Sequence, residues 1–479
     1  MEFTKSQWAL EEYEVPSGRV TGLKTVSERI KMEVADVKQD EREFKEVFQE
    51  FGDATTFHGI RYITNSSNHI VRRLIWLMAV AGMIVWLTIS LMESVTLLRQ
   101  HDEITSISIN YLTDVKFPAV TLCNYNQFRD GSLPKAAIET LALVYGGASA
   151  HSADTLIDTT PLQDVFENKT DIENIEILKD ASHQIEDMII ECKWRSKPCS
   201  HLNFTQRVLD QGVCYTFNDP VDEKDILTVH NPGSKNGLFL RLNIQQNLYT
   251  FGETTAAGMK VLLHPQGELP IIKELAFSIS PGFETSVAVR QKVISSLPAP
   301  FKDNCTNTKF TDYSFNYSVP ACNFLCKVRY VVDKCGCRDY KWPGNEPFCN
   351  VYQQVYCIYR YEEQYLEDEI KCDCPIACET TQYESKISTA YWPNTNLLSS
   401  KNLSSELFRL NFLDVYFFCE EILTTKIEQH EAYTWTSFQG DVGGYMGLLC
   451  GMSLLTVLEW ADFFFITLLN KFRFIKKAK

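Results

Sequence analysis

Long apolar runs occupy residues 74–92 and 439–463. The first carries no charge. Roughly 20 apolar residues cross a bilayer, so each run predicts a membrane helix. The second reads QGDVGGYMGLLCGMSLLTVLEWADF and also holds Asp441, Glu459 and Asp462. It spaces Gly443, Gly447 and Gly451 four apart, followed by Met452 and Ser453. Four residues are about one helical turn, so the glycines share a face that another helix can approach closely. A carboxylate at the centre of a membrane helix costs about 2.5–3.5 kcal/mol and usually faces water. A small-residue face flanked by acids therefore predicts a cation path. The plainer alternative is a packing helix with acids near its ends.

Between these runs the period changes. FPAVTLC, GLFLRLNI, MKVLLH and ELAFSISPG read as strands separated by turns. Helical spacing is confined to stretches near 183–192 and 321–331. The acidic stretch 361–371 reads as an exposed helix or loop. Before the first run, residues 36–51 place Val37, Phe44, Val47, Phe48 and Phe51 near helical spacing. They predict a short amphipathic helix, lying on the inner membrane face or free in solvent. No repeat or low-complexity tract is visible.

Charge orients the two runs. Arg72 and Arg73 precede the first; Lys471, Arg473, Lys476, Lys477 and Lys479 follow the second. Basic flanks stay in the cytoplasm, so both termini are expected inside. A long polar segment precedes the first run, which argues against a secretory signal peptide. The expected plan is a cytoplasmic segment over 1–72, a membrane helix over 73–97 and an outer domain over 98–431. A second membrane helix over 432–470 and a tail over 471–479 complete it. In the outer domain, sequons at Asn168, Asn203, Asn316 and Asn402 are expected to carry glycans. Asn304 adjoins Cys305, which crowds it, and Asn65 falls on the inner side. The net charge of −15 leaves no nucleic-acid footprint.

Fifteen of the sixteen cysteines lie within residues 123–419, which indicates an oxidising compartment there. Zinc is disfavoured, because thiolate sites use paired C-x₂₋₄-C knuckles. The ten cysteines from Cys305 to Cys378 include two C-x-C pairs. Cys322 and Cys326 lie about 6 Å apart along a helix, and Cys372 and Cys374 about 6.6 Å apart along a strand. Two antiparallel rungs would join them, Cys322–Cys374 and Cys326–Cys372. Nested pairs Cys335–Cys357 and Cys337–Cys349 would extend the ladder, with Cys305–Cys378 at its base. Spacing does not fix connectivity; this arrangement has the simplest geometry. It would make a rigid rod able to carry force from an outer sensor toward the membrane.

Five motifs in order resemble the epithelial sodium channel/degenerin superfamily over residues 57–465. They are His58-Gly59; Phe117-Pro-Ala-Val-Thr-Leu-Cys123-Asn-Tyr-Asn-Gln-Phe128-Arg; Gly212-Val-Cys214-Tyr-Thr-Phe217-Asn; the cysteine ladder; and Gly451-Met-Ser453. The resemblance implies an α+β membrane protein, with two transmembrane helices and a large disulfide-rich outer domain. Finger, thumb, palm, knuckle and β-ball are the parts of that domain, the thumb spanning about 303–380. It implies a homo- or heterotrimer around a central pore, so two further subunits and membrane lipid are expected partners. Gly451, Met452 and Ser453 would form the constriction, with Glu459 and Asp462 on one face below and Asp441 at the outer mouth. Gly440 would occupy the position where bulk holds such channels open. His58 and Gly59 would belong to a re-entrant segment under the pore. The family pairing also supports Cys123–Cys214 and Cys192–Cys199, leaving Cys419 unpaired.

The resemblance also bears on gating. Acid-sensing members cluster carboxylates where this chain has residues 252–258 with only Glu253, and where Ile-Tyr-Arg follows Cys357. His101 and Phe301 stand near an aromatic pair of those relatives. The compact length is similar to peptide-gated channels of simple animals such as Hydra. The expectation is an amiloride-sensitive, sodium-permeable plasma-membrane channel gated by an extracellular ligand, a neuropeptide before a proton. A constitutively open channel and a non-conducting two-pass binding protein are the alternatives. No enzyme is expected, since His183, His201, His230 and His264 are scattered and no nucleophile–base set is visible. Na⁺ is the permeant ion; neither cofactor nor structural metal is expected.

Overall fold

The computed structural model describes residues 46–146, 158–166, 169–220, 223–250, 255–401 and 405–477. Residues 36–45 of the expected amphipathic helix, Asn168, Asn402 and Glu253 lie outside them. The chain divides into two compact units, one built from residues up to Gln100 with Tyr433–Lys479, the other from His101–Ala432.

In the first unit a helix spans Ile70–Gln100, about 46 Å at 1.5 Å per residue and longer than a hydrocarbon core. Its burial is inverted relative to a soluble helix. Ile75, Met78, Val85, Trp86 and Ile89 are exposed, while Ser90 and Ser94 are buried. Small polar residues face protein and large apolar ones face outward, the pattern of a helix whose solvent is lipid. The second apolar run is two helices, Trp435–Cys450 and Leu454–Lys477. Their axes turn by 72° at residues 451–453.

The second unit is a mixed α/β body. The strands of its two larger sheets are β1 (Glu103–Tyr111), β2 (Ala119–Asn124), β3 (Ile189–Trp194), β4 (Lys197–Pro198), β5 (Phe204–Leu209) and β6 (Gly212–Phe217). They continue with β7 (Leu238–Asn243), β8 (Met259–His264), β9 (Phe277–Ile279), β10 (Phe283–Ser295), β11 (Glu379–Tyr391) and β12 (Phe412–Glu431). One sheet runs β11-β10-β12-β7-β3-β4, with β1 also paired to β12; the other runs β9-β8-β2-β6-β5. All six residues of β2 and all six of β6 are buried, which is why FPAVTLC shows no strict alternation of apolar and polar positions. The main core lies between the sheets, around Phe117, Leu122, Phe217, Leu240 and Phe417. The 183–192 stretch differs from its helical reading. Only Ile185–Met188 is helical, and β3 takes over because Leu240 and Leu242 of β7 offer a pairing edge.

Helices α1 (Lys135–Gly146), α2 (Thr160–Phe166) and α3 (Asp171–Ala181) form a separate layer with its own core at Ile138, Leu141, Leu162 and Leu178. A capping box of Thr170 and Glu173 starts α3. Helix α4 (Val319–Cys335) begins at the Ser318 cap, with Pro320 in its first turn, and ends at Gly336. A π-helical turn, Gln354–Ile358, leads into α5 (Tyr359–Glu367), which answers the acidic stretch.

Seven disulfides are formed: Cys123–Cys214, Cys192–Cys199, Cys305–Cys378, Cys322–Cys374, Cys326–Cys372, Cys335–Cys357 and Cys337–Cys349. Residues 371–376 carry no regular secondary structure, so the strand expected there is absent. The rungs to α4 and the Tyr317 hydroxyl, which donates to the Pro375 carbonyl at 2.5 Å, hold that segment instead. Cys419 remains unpaired and buried, and burial pushes its thiol up to about 11. Cys450 is also free.

Candidate functional site

The helix break is built by two caps. Gly451 has φ +61°, the left-handed conformation that ends a helix, and its N–H returns to the Gly447 carbonyl at 3.0 Å. Ser453 starts the next helix. Its hydroxyl accepts from Thr456 N at 3.4 Å, and its own N–H donates to Thr456 Oγ1 at 3.0 Å. Gly-Met-Ser is thus the length of chain needed to stop one helix and begin another.

The segment before the first membrane helix seats itself on this break. His58 N–H donates to the Cys450 carbonyl at 3.0 Å, a group the helix end leaves free. The imidazole lies over Gly451 so closely that a Cβ there would come within 2.1 Å of Nδ1. His58-Gly59 and Gly451-Met452-Ser453, read separately from sequence, are one contact.

Thr55 and Thr56 extend the clasp. The Glu459 Oε2 accepts from Thr55 Oγ1 at 3.2 Å, Thr56 N at 3.2 Å and Thr56 Oγ1 at 3.3 Å. The hydroxyls of Thr56 and the fully buried Thr456 meet at 2.6 Å. Residues 46–54 are helical, and Phe51 stacks on Phe463 at 4.3 Å and meets Trp460 edge-on at 4.9 Å. In the described part of the amphipathic helix Phe51 packs on protein, while Val47 stays 43% exposed.

This changes the reading of the acids. Glu459 is held by three donors from its own chain, whereas Asp462 is exposed, so the two do not form an equivalent pair. Asp441 is partly buried and accepts from the Tyr433 hydroxyl at 2.6 Å. Gly440 is exposed, with no atom within 4 Å of a Cβ placed on it. Thr55, Thr56 and Thr456 escaped the sequence reading. Their one signal was the polar Thr-Thr pair directly before Phe57-His58.

The second unit holds further groups of interest. His101 and Phe301 meet edge to face at 5.6 Å. His183 and His264 are buried and hydrogen-bonded, His183 to Gln245 and Asn126, His264 to Thr121; burial pushes both imidazoles down to about 4. Glu268 stands out, because burial alone lifts its carboxyl to about 7. Ile358 and Tyr359, which follow Cys357, are buried, and the Tyr359 hydroxyl donates to the Val144 carbonyl. Of the expected glycan sites, Asn203 and Asn316 are exposed. No cluster of metal-ligating side chains occurs among the described residues.

Comparisons with known proteins agree in extent with this architecture. The family model described as amiloride-sensitive sodium channel matches residues 51–463. Acid-sensing ion channel 2 of Rattus norvegicus is 34% identical over 438 residues, covering 87% of this chain and 86% of its own. Acid-sensing ion channel 1 of Gallus gallus is 32% identical over 455 residues, covering 89% and 86%. Acid-sensing ion channel 1A of Danio rerio is 29% identical over 468 residues, covering 92% of each. A cryo-EM structure of a proton-activated chloride channel overlaps 82% of this chain and 96% of its own at 7% identity, with a TM-score of 0.31 too low to bear on the fold. With the match running from the helical segment before His58 to Phe463 beyond the break, the chain belongs to the amiloride-sensitive sodium channel family, a family of ion channels and not of enzymes.

Proposed function

We propose that the chain is one subunit of a trimeric, amiloride-sensitive, sodium-permeable channel of the plasma membrane, with both termini inside and His101–Ala432 outside. The observation that carries this reading is the 72° break at residues 451–453 with His58 seated on it. An interrupted helix frees backbone carbonyls, and three such ends around an axis offer oxygens in place of part of an ion's hydration shell. Asp462 and Asp441 would draw cations along the path.

Expression in oocytes tests it. In a single subunit no atom lies within 4 Å of a Cβ added at Gly440, so phenylalanine can be attached there without a clash at its Cβ. In a trimer three such rings would crowd one axis and oppose closure. Overpacking costs about 1–3 kcal/mol per site, and about 1.4 kcal/mol shifts a two-state equilibrium tenfold. Gly440→Phe is expected to give a standing, amiloride-blocked sodium current at least about tenfold above wild type. A surface-expressed Gly440→Phe without current would favour the non-conducting binding protein instead.

For the trigger, an extracellular neuropeptide is the first reading. It rests on Ile358 and Tyr359, buried core residues where acid-sensing relatives are expected to present an acid. A proton trigger is the second, favoured by the relatives' names and by Glu268. The Glu268 backbone forms a β-bridge with Asn316, and its carboxyl acts electrostatically on Tyr383. Its raised value means the folded state binds the proton more tightly than the unfolded one. The stability it contributes is full below about 4.5 and is lost as pH rises through about 7. Glu268→Gln should therefore raise the thermal midpoint at about pH 8 and change it little at about pH 4.5 or below. If acid evokes current in wild type and Glu268→Gln shifts its pH dependence, the proton reading takes first place. Equal effects of Glu268→Gln on the midpoint at both pH values would show that this carboxyl is not the titrating group.

A further inference from the structure

Asp441 places a carboxyl group inside an apolar run, where an uncompensated charge is costly. A close hydrogen bond offsets that cost. The Tyr433 hydroxyl donates to Asp441 Oδ2 at 2.6 Å, the separation of an O–H group on a carboxylate. Tyr433 is suited to this by standing just outside the helix. Thr434 caps Trp435–Cys450, its Oγ1 accepting from Ser437 N at 3.1 Å. The phenol therefore starts one residue before the cap and reaches along the first turns to Asp441.

The first membrane helix flanks the same group. Ser94 of Ile70–Gln100, only 3% exposed, lies beside the Tyr433 phenol. The glycines around Asp441 are in the opposite situation. A Cβ added at Gly440, Gly443 or Gly444 would meet no atom within 4 Å. Asp441 borders this open stretch of helix, yet its carboxylate is tied back to Tyr433.

We propose that Tyr433 is a positioning residue for cation passage, its hydroxyl holding the Asp441 carboxylate back and so weakening its grip on divalent cations. The proposal rests on the channel reading above, in which Asp441 stands at the outer mouth. Ca²⁺ takes oxygen ligands, and on this carboxylate it must compete with the phenol for the same lone pairs. Without the donor, Asp441 is free to turn to the ion.

The test records currents in the Gly440→Phe background, where no ligand is needed, while extracellular Ca²⁺ is titrated. Tyr433→Phe is expected to lower the half-blocking Ca²⁺ concentration about threefold to tenfold, the range of one hydrogen bond to a charged group. Asp441→Asn is expected to relieve the block, and Tyr433→Phe added to it to change nothing further. A block unchanged or weakened in Tyr433→Phe, or shifted as much in the Asp441→Asn background, overturns the proposal. A block indifferent to Asp441→Asn puts the fault in the placement of Asp441 at the mouth, and the proposal falls with it. The purified full-length chain in detergent gives a readout that needs no current. Ca²⁺ at about 10 mM is expected to raise the thermal midpoint more in Tyr433→Phe than in wild type, and equally in Asp441→Asn with or without Tyr433→Phe. Equal Ca²⁺ shifts in wild type and Tyr433→Phe overturn the proposal even where every variant is electrically silent.

Discussion

Gly451→Val is expected to abolish the sodium current while leaving the protein folded and at the surface. Two effects add at this position. The φ of +61° is left-handed, which costs a non-glycine residue about 1–2 kcal/mol and a β-branched one more. A Cβ would also meet His58 Nδ1 at 2.1 Å, so the imidazole must leave, along with the bond from His58 N–H to the Cys450 carbonyl. Overpacking of that kind costs about 1–3 kcal/mol. Together they reach about 3 kcal/mol per subunit, more than a hundredfold against the native geometry of the break. The measurement is made in the Gly440→Phe background, so that no ligand is needed, with surface labelling as the control. His58→Ala removes one of the two obstacles, so its combination with Gly451→Ala should cost less than the two single changes summed. A normal current with unchanged ion preference in Gly451→Val would show that the break does not set permeation.

Gly237→Ala is expected to prevent the second unit from reaching its native state. Here φ is −113°, open to any residue, so the constraint is space alone. An added Cβ would lie 1.9 Å from the Phe417 carbonyl oxygen and 2.9 Å from its carbon. Those are backbone atoms of β12, the strand that pairs with β1, β7 and β10, so they cannot step aside as a side chain would. Separating the strands would open the core at Leu238 and Phe417, both fully buried. The cost is about 3 kcal/mol or more, a large part of a domain's stability of about 5–15 kcal/mol. Surface biotinylation and glycan maturation read the outcome. Wild-type surface levels in Gly237→Ala would show that β12 tolerates a displacement there.

What the sequence made legible was mostly local. Gly-Met-Ser entered as a constriction only through the family resemblance; its residues alone read as one membrane helix with Gly443, Gly447 and Gly451 on a face, and the left-handed Gly451 and the Ser453 cap came from the structure. The ladder could be read because Cys322 and Cys326 sit one helical turn apart. The Cys372–Cys374 side was right in its partners and wrong in state, since that segment makes both rungs without joining a sheet. Glu459 shows where such reading ends. Its three-residue spacing from Asp462 suggested a shared face, but its partners are Thr55 and Thr56, about four hundred residues earlier. Glu268 was invisible for the same reason. Its chemistry comes from burial among distant segments, and it lies in no motif.

The five ladder disulfides are nested without a crossing, with sequence separations of 73, 52, 46, 22 and 12 from the outermost to the innermost. This order matters while the chain is being made. Cys305, Cys322, Cys326, Cys335 and Cys337 are all synthesised before any of their partners. Cys349 then arrives and finds its partner to be the most recently made, and Cys357, Cys372, Cys374 and Cys378 each meet the same situation in turn. The last cysteine to wait is always the first to be claimed. Loop-closure entropy favours the same sequence, because the shortest loop loses least on closing. Vectorial synthesis and polymer statistics therefore select the native pairing together, and the hazard is confined to the interval before Cys349 emerges, when five thiols are present with none of their proper mates.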